Sequence, residues 1–332
     1  MTTEQDRSDA ERAFPHWRKI DDELNMSSTT QPPRTQARLL YLVNDSRQEY
    51  DDHVRVVQTV IGTPLKSSGK TFTPSSGSGL GTLPSDPDRR REEVVRPLSR
   101  QFSPGYGDAD GTNWSCGSGL VPSLVLTLNG AERLRCPKVA KAQVQAEVNY
   151  VSGLGAPDGR RSFRIDLQQY RPECQMALAV GLGSWVETYQ RAPSWTCLLV
   201  DVATRVAALT VLSAKGLATV ARPNDPCFSP PAPDPDIAVP TYSAYPAGHP
   251  AVVAAVAEVL KAVRNDAGAQ ALLQRMAADI SLNRVWARLH TRLDIDAGWA
   301  FGKEVGAALL ALDPTANALW AELLEAAKQE WT

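Results

Sequence analysis

Histidine is scarce in this chain of 332 residues: there are four, beside five cysteines and four methionines. The cysteines, Cys116, Cys136, Cys174, Cys197 and Cys227, are odd in number, scattered, and form no Cys-x-x-Cys pair. That spacing argues against a zinc site or a disulfide framework and favours reduced thiols. Charge of one sign is also lacking. Thirty-five basic residues against 37 acidic ones leave a net charge of −2, so no global field for nucleic acid or a membrane surface exists. A charge-free apolar run long enough to span a bilayer is absent as well. The best candidate, "CLLVDVATRVAALTVLSA", carries Asp201 and Arg205 and reads as a buried helix. The N-terminal "MTTEQDRSDAER" has no apolar core of a secretory signal, so a cytoplasmic location is expected and the sequon Asn113-Trp114-Ser115 is discounted.

What is present is helical period. Residues 1–34 are polar and read as a tail, and residues 35–332 as one helical domain. Helices are expected near 137–150, 174–190, 196–220, 250–264, 267–280, 294–311 and 315–329, after a first one in "ARLLYLVNDSRQEYDDHVRVVQTVI". "SLVLTL" at 123–128 is the best strand signal. From about 62 to 110 the chain is dense in Gly, Ser, Pro and Thr around a charged block, "DPDRRREE". This composition reads as a long mobile insertion or lid. The expected fold class is all-α.

"GTPLKSSGKTF" imitates a phosphate-binding P-loop, but six residues separate Gly62 from Gly69. Four are needed for the backbone amides to curl around a phosphate, and a proline interrupts the curl here. A nucleotide-hydrolysing reading is rejected.

More informative is "YPAGHP", followed by "AVVAAVAEVLKAV" with Val252, Val253, Val256, Val259, Leu260 and Val263 at helical spacing. Pro250 suits a first helical turn, which places His249 at a helix N-terminus, where unpaired amides and partial positive charge favour an anion. Upstream, Lys215 and Arg222-Pro223 are separated by six residues; downstream, Arg284 is followed after five by His290, and after three more by Asp294. Arginine forks and a lysine point charge are what a tetrahedral oxyanion requires. Two histidines then suit one ligand to a central atom and one proton carrier near neutral pH.

In order and spacing these blocks, Lys-x6-Arg-Pro, Pro-x-Gly-His and Arg-x5-His-x3-Asp, resemble the three signatures of the vanadium-dependent haloperoxidase and acid phosphatase superfamily. The resemblance covers roughly residues 196–311. "VPTYSAYPAGHP", "HTRLDIDAGWAFGKEVG" and "LLVDVATRVAALTVLSAKGLATVARP" are similar to the haloperoxidase branch. The chain departs from the family at Ala247, where serine usually precedes Gly-His, at Ala221, where an aromatic usually precedes Arg-Pro, and at Asn283, where serine is common.

The resemblance implies a helix-bundle core of the haloperoxidase type and vanadate as cofactor. His290 would be the apical metal ligand, with Lys215, Arg222, Arg284 and the backbone of Gly248 caging the oxyanion. His249 would manage protons, Lys215 would polarise bound peroxide, and Asp294 would orient His290 from one helical turn away. Hydrogen peroxide, halide and a small organic substrate would be the partners, with no nucleic acid, no membrane and at most a second copy of the chain. Three alternatives stay open. One is a phosphomonoesterase with His290 as nucleophile and His249 protonating the leaving group. The others are a haloperoxidase-like isomerase or cyclase that has lost vanadate, and a non-catalytic helical protein with a vestigial anion pocket. Tyr242, Tyr245 and Trp286 are expected along the pocket; Trp185, Trp195 and Trp299 as core or wall; His16 and His53 on the surface.

Overall fold

The computed structural model describes residues 55–60, 78–106, 120–121, 123–169, 172–181, 194–235 and 237–331. The tail at 1–34, His16, His53, Asn113, Cys116, Trp185 and the P-loop-like stretch therefore lie outside the described residues. What is described is mostly helical, as the period predicts.

After a helical stretch at 55–60 and a 3-10 turn Gly79–Thr82 comes α1, Pro87–Ser99. Asp86 caps it by accepting from Arg89 N at 2.8 Å, and Pro87 occupies the first turn. Buried Val94, Val95 and Leu98 turn it onto a later helix, Trp195–Leu217. Here the insertion reading is corrected for residues 78–106. "DPDRRREE" is the capped, solvated start of an amphipathic helix, whose apolar face appears only in the next few residues.

A small antiparallel sheet follows, β1 (Phe102–Tyr106), β3 (Leu124–Leu128) and β4 (Ala131–Cys136), with β3 central. Phe102 faces Leu128 and Leu124 faces Cys136. The β3–β4 hairpin turns on Asn129 and Gly130, both at positive φ (49° and 80°), which this residue pair tolerates best. Short β2 (Leu120–Val121) and β5 (Val139–Ala140) pair separately.

The helical body comprises α2 (Lys141–Gly153), α3 (Gly159–Leu167), α4 (Pro172–Ala179), α5 (Trp195–Leu217), α6 (Gly248–Val263), α7 (Ala267–Trp286), α8 (Arg292–Leu310) and α9 (Ala318–Gln329). Helix α6 is almost wholly buried and lies among α4, α5, α7 and α8. Its apolar residues continue all round, as a central helix requires. Against it α8 presents Gly298, Gly302 and Gly306, one per turn, to the main chain of Ala247, Ala251 and Ala255. A Cβ at Gly298 or Gly302 would overlap the Ala247 or Ala251 carbonyl. This contact brings the two backbones together and sets the N-terminus of α6 beside that of α8.

Helix α5 alone, among the described residues, is long and apolar enough to cross a membrane, and 67% of its apolar window is buried in the fold. Its N-terminus is held by Glu330, whose carboxylate accepts from Trp195 N at 2.7 Å and Thr196 N at 2.9 Å. Cys136, Cys174 and Cys197 are buried and form no disulfide, but Cys227 is disulfide-bonded. Its partner lies outside the described residues. That bond corrects the expectation of uniformly reduced thiols and removes the support they lent to a cytoplasmic location.

Candidate oxyanion site

Gly248 and His249 open α6, and the N-cap residue, Ala247, offers no side-chain bond to the first turn. The backbone amide of Ala247 donates to the carbonyl of Asp294 at 2.9 Å, tying this end of α6 to the first turn of α8. Ala247 is fully buried against Gly298. The amides at the start of α6 are thus left to the site rather than to a serine or aspartate cap.

Lys215, in the last turn of α5, passes close to this end. Its Cε lies 3.8 Å from where a Cβ on Gly248 would stand. Its ammonium donates to the carbonyls of Ser243 at 2.6 Å and Ala244 at 3.0 Å. Burial, then the neighbouring Arg222, push its pKa down to about 7. Arg222 spends three N–H groups on the carbonyls of Pro240 (3.1 Å), Leu289 (2.9 Å) and Tyr242 (3.1 Å). Ser243, also buried, accepts from Val220 N and donates to the Tyr245 carbonyl. The first-motif cations therefore pin the segment before α6 as well as supplying charge. Tyr242 lies over both, its ring centroid 5.3 Å from the Lys215 ammonium and 5.7 Å from the Arg222 guanidinium, and it is half exposed. Tyr245 is buried in the core instead. Ala221 is half-buried against the same core.

His290 sits in the loop between α7 and α8, two residues before α8 begins. The expected single helical turn from His290 to Asp294 is replaced by a capping turn. Thr291 is the N-cap, and Asp294 Oδ2 accepts from its amide at 2.7 Å and its hydroxyl at 2.9 Å. The carboxylate is 3.8 Å from His290 Nδ1, too far for a hydrogen bond, and this buried nitrogen has no partner. The expected orienting bond is corrected accordingly: Asp294 acts on His290 through its charge, being already committed to the cap. Burial works against the Asp294 carboxylate, yet His290 and the Thr291 donors hold it below the usual range.

Arg284, near the end of α7, is fully buried. Its Nη2 donates to the Ile165 carbonyl at 2.9 Å, while Nε and Nη1 have no partner. Burial lowers its pKa to about 10, against the support of Asp279 and Asp166, so it stays charged. Beneath it is a polar cluster with no obvious sequence signal. Gln168 Nε2 donates to Asp279 (2.8 Å) and Gln175 (3.0 Å), Asn283 donates to Gln168 (2.8 Å) and Asp279 (3.1 Å), and Arg164 pairs with Asp279 at 3.2 Å. Asn283 belongs to this cluster, where its amide has both acceptors within reach. Trp286 carries Arg161 over its ring at 4.4 Å.

The two histidines join the halves. His249 retains some exposure, but burial, then Arg284 and His290, depress its pKa to about 3, although hydrogen-bonding contact with the Gln169 and Gln168 backbone opposes this. Burial, then the Lys215 and Arg222 charges, put His290 at about 4 despite Asp294. Lys215, Arg222, Gly248, His249, Arg284, His290 and Asp294 thus form one neighbourhood. Lys215 and Arg222 feel the charge of Asp294, Arg284 feels those of Asp279 and Asp166, and both imidazoles are neutral near pH 7. Sequence spacing missed the α3–α7 cluster because glutamine, asparagine and aspartate at ordinary helical positions carry no pattern until the helices pack. No protein-family model matches the chain, and a search of curated proteins finds no match.

Proposed function

We propose that the protein is a vanadate-dependent haloperoxidase-like enzyme, using hydrogen peroxide to oxidise halide and halogenate an organic acceptor. One observation carries the reading: a fully buried, charged Arg284 with two unpartnered nitrogens beside an uncapped helix N-terminus. A buried donor left unmade costs about 1–3 kcal/mol, more when charged. A small oxyanion would satisfy both nitrogens and the first-turn amides together. The residues therefore suit vanadate, with His290, Arg284 and the Gly248 amide to hold it and Lys215 and Arg222 contributing charge. Bound vanadate would supply Lewis-acid activation of peroxide. Neutral His290 can offer a ring lone pair, and neutral His249 can accept a proton from hydrogen peroxide.

The same cradle suits a phosphomonoesterase, with His290 as nucleophile. Purified protein, with and without orthovanadate, should be assayed for peroxide-dependent bromination of a phenol dye and for aryl-phosphate hydrolysis. Vanadate-dependent bromination supports the proposal. Hydrolysis inhibited by vanadate replaces it with the phosphatase. Silence in both, with vanadate still bound, points to the isomerase or the vestigial pocket.

A further inference from the structure

The last turn of α3 reaches both halves of the site. Its Ile165 carbonyl accepts from Arg284 at 2.9 Å, and the backbone at Gln168 and Gln169, where the helix ends, lies near enough to the His249 imidazole to favour its protonated form. Carbonyls at a helix C-terminus have no intrahelical donor and carry partial negative charge, so they are natural acceptors for a guanidinium and an imidazole N–H. This turn is fastened by one side chain. Gln168, the C-cap of α3, is fully buried, and its amide bonds Asp279 and Asn283 of α7 and Gln175 of α4. Asn283 precedes Arg284, so Gln168 fixes the carbonyl turn relative to the helix that bears the guanidinium.

We propose that Gln168 is a positioning residue of the site: by locking the end of α3 to α7 it holds the carbonyls that fix the His249 tautomer and aim Arg284 with its two open nitrogens toward the anion. A His249 N–H donated to the α3 carbonyls would leave the other ring nitrogen to accept from a protonated oxygen of the bound oxyanion. The inference rests on the oxyanion-site reading for its purpose, but its geometry stands without a bound ion.

The test uses the full chain. Wild type and Gln168→Met, which keeps the volume but removes every hydrogen bond, are compared by calorimetric titration with orthovanadate and by 15N NMR of labelled histidines, with His249→Gln assigning the resonance. Wild type is expected to show a single His249 tautomer. The Met variant is expected to show mixed tautomers and vanadate binding weakened at least about tenfold. A purely structural role would lower the melting temperature and leave the tautomer alone. A folded variant with the wild-type tautomer and affinity overturns the proposal. Should Gln168→Met not fold, Gln168→Asn, which retains the amide one methylene back, carries the same two readouts. Should wild type bind neither vanadate nor inorganic phosphate, the oxyanion reading falls, and the tautomer comparison alone decides the role of Gln168.

Discussion

Arg284 gives one N–H to the carbonyl of Ile165, at 2.9 Å, and leaves two other nitrogens unpartnered in a fully buried setting. Ligand affinity and fold stability are therefore opposed at this residue. A buried charge whose bonds are left unmade is costly, so its removal relieves a penalty as well as losing one hydrogen bond. Arg284→Met should keep or raise the melting temperature while orthovanadate binding falls at least about a hundredfold, two charge-assisted bonds being worth about 1.5–3 kcal/mol each. Calorimetry and thermal denaturation on the same sample check both halves. Unchanged affinity would remove Arg284 from the site.

The α6–α8 contact predicts a sharp asymmetry between glycines. Gly302→Ala places a methyl into the Ala251 carbonyl, whereas the same change at Gly216 meets nothing within 4 Å. Overpacking against main chain should cost about 1–3 kcal/mol or more at Gly302, and the Gly216 variant should be neutral or slightly stabilised. Urea denaturation midpoints separate the two; equal midpoints would contradict the packing described.

Stability should fall on mild acidification. His249 at about 3 and His290 at about 4 lie below the ordinary histidine value. Between those values and about 6.5 the unfolded chain binds protons that the folded chain refuses, so stability present above about pH 6.5 is lost as the pH drops toward 4 and then 3. His249→Gln and His290→Gln should each flatten that part of the curve, measured by urea midpoints from about pH 7 to about pH 4.5. A wild-type slope retained in both variants would show that the imidazoles titrate normally.

Lys215 carries the opposite dependence for ligand. With its pKa near 7, it is charged below neutrality and loses that charge above it, so anion affinity should weaken as the pH rises through about 7. Folding shows the reverse sign: the buried charge is costly at low pH, and the cost is relieved between about pH 7 and about pH 10. Sulfate, whose own charge is constant over this range, is the suitable probe. The affinity slope should be present in wild type and absent in Lys215→Met. A slope that persists in the variant assigns it to another group.

Glu330 holds the start of α5 through two backbone amides and the hydroxyls of Ser194 and Thr196. Loss of the charge in Glu330→Gln should cost about 1–2 kcal/mol, in line with other helix N-caps, and leave vanadate binding alone. Thermal denaturation beside vanadate calorimetry is the check. A large loss of binding would mean that α5 conveys its N-terminal anchoring to Lys215.

Periodicity fixed the main helices because each buried a continuous apolar face, and Pro250 marked the start of α6 to within a turn. The set Lys215, Arg222, His249, Arg284 and His290 is picked out in the sequence by order and spacing together with the family resemblance they carry. Composition misled at 87–99, where a charged, proline-initiated cap hides an amphipathic helix, and at Cys227, because pairing depends on where distant residues meet. Packing alone decided how the site residues are used. Lys215 and Arg222 bond backbone carbonyls because the chain before α6 passes within their reach. Asp294 caps α8 because Thr291, rather than a helical turn, separates it from His290. The end of α3 becomes part of the site only because Gln168 finds its amide and carboxylate partners on α7 and α4. Sequence spacing records which side chains share an element, whereas the allotment of each polar group among competing partners is settled when the elements come together.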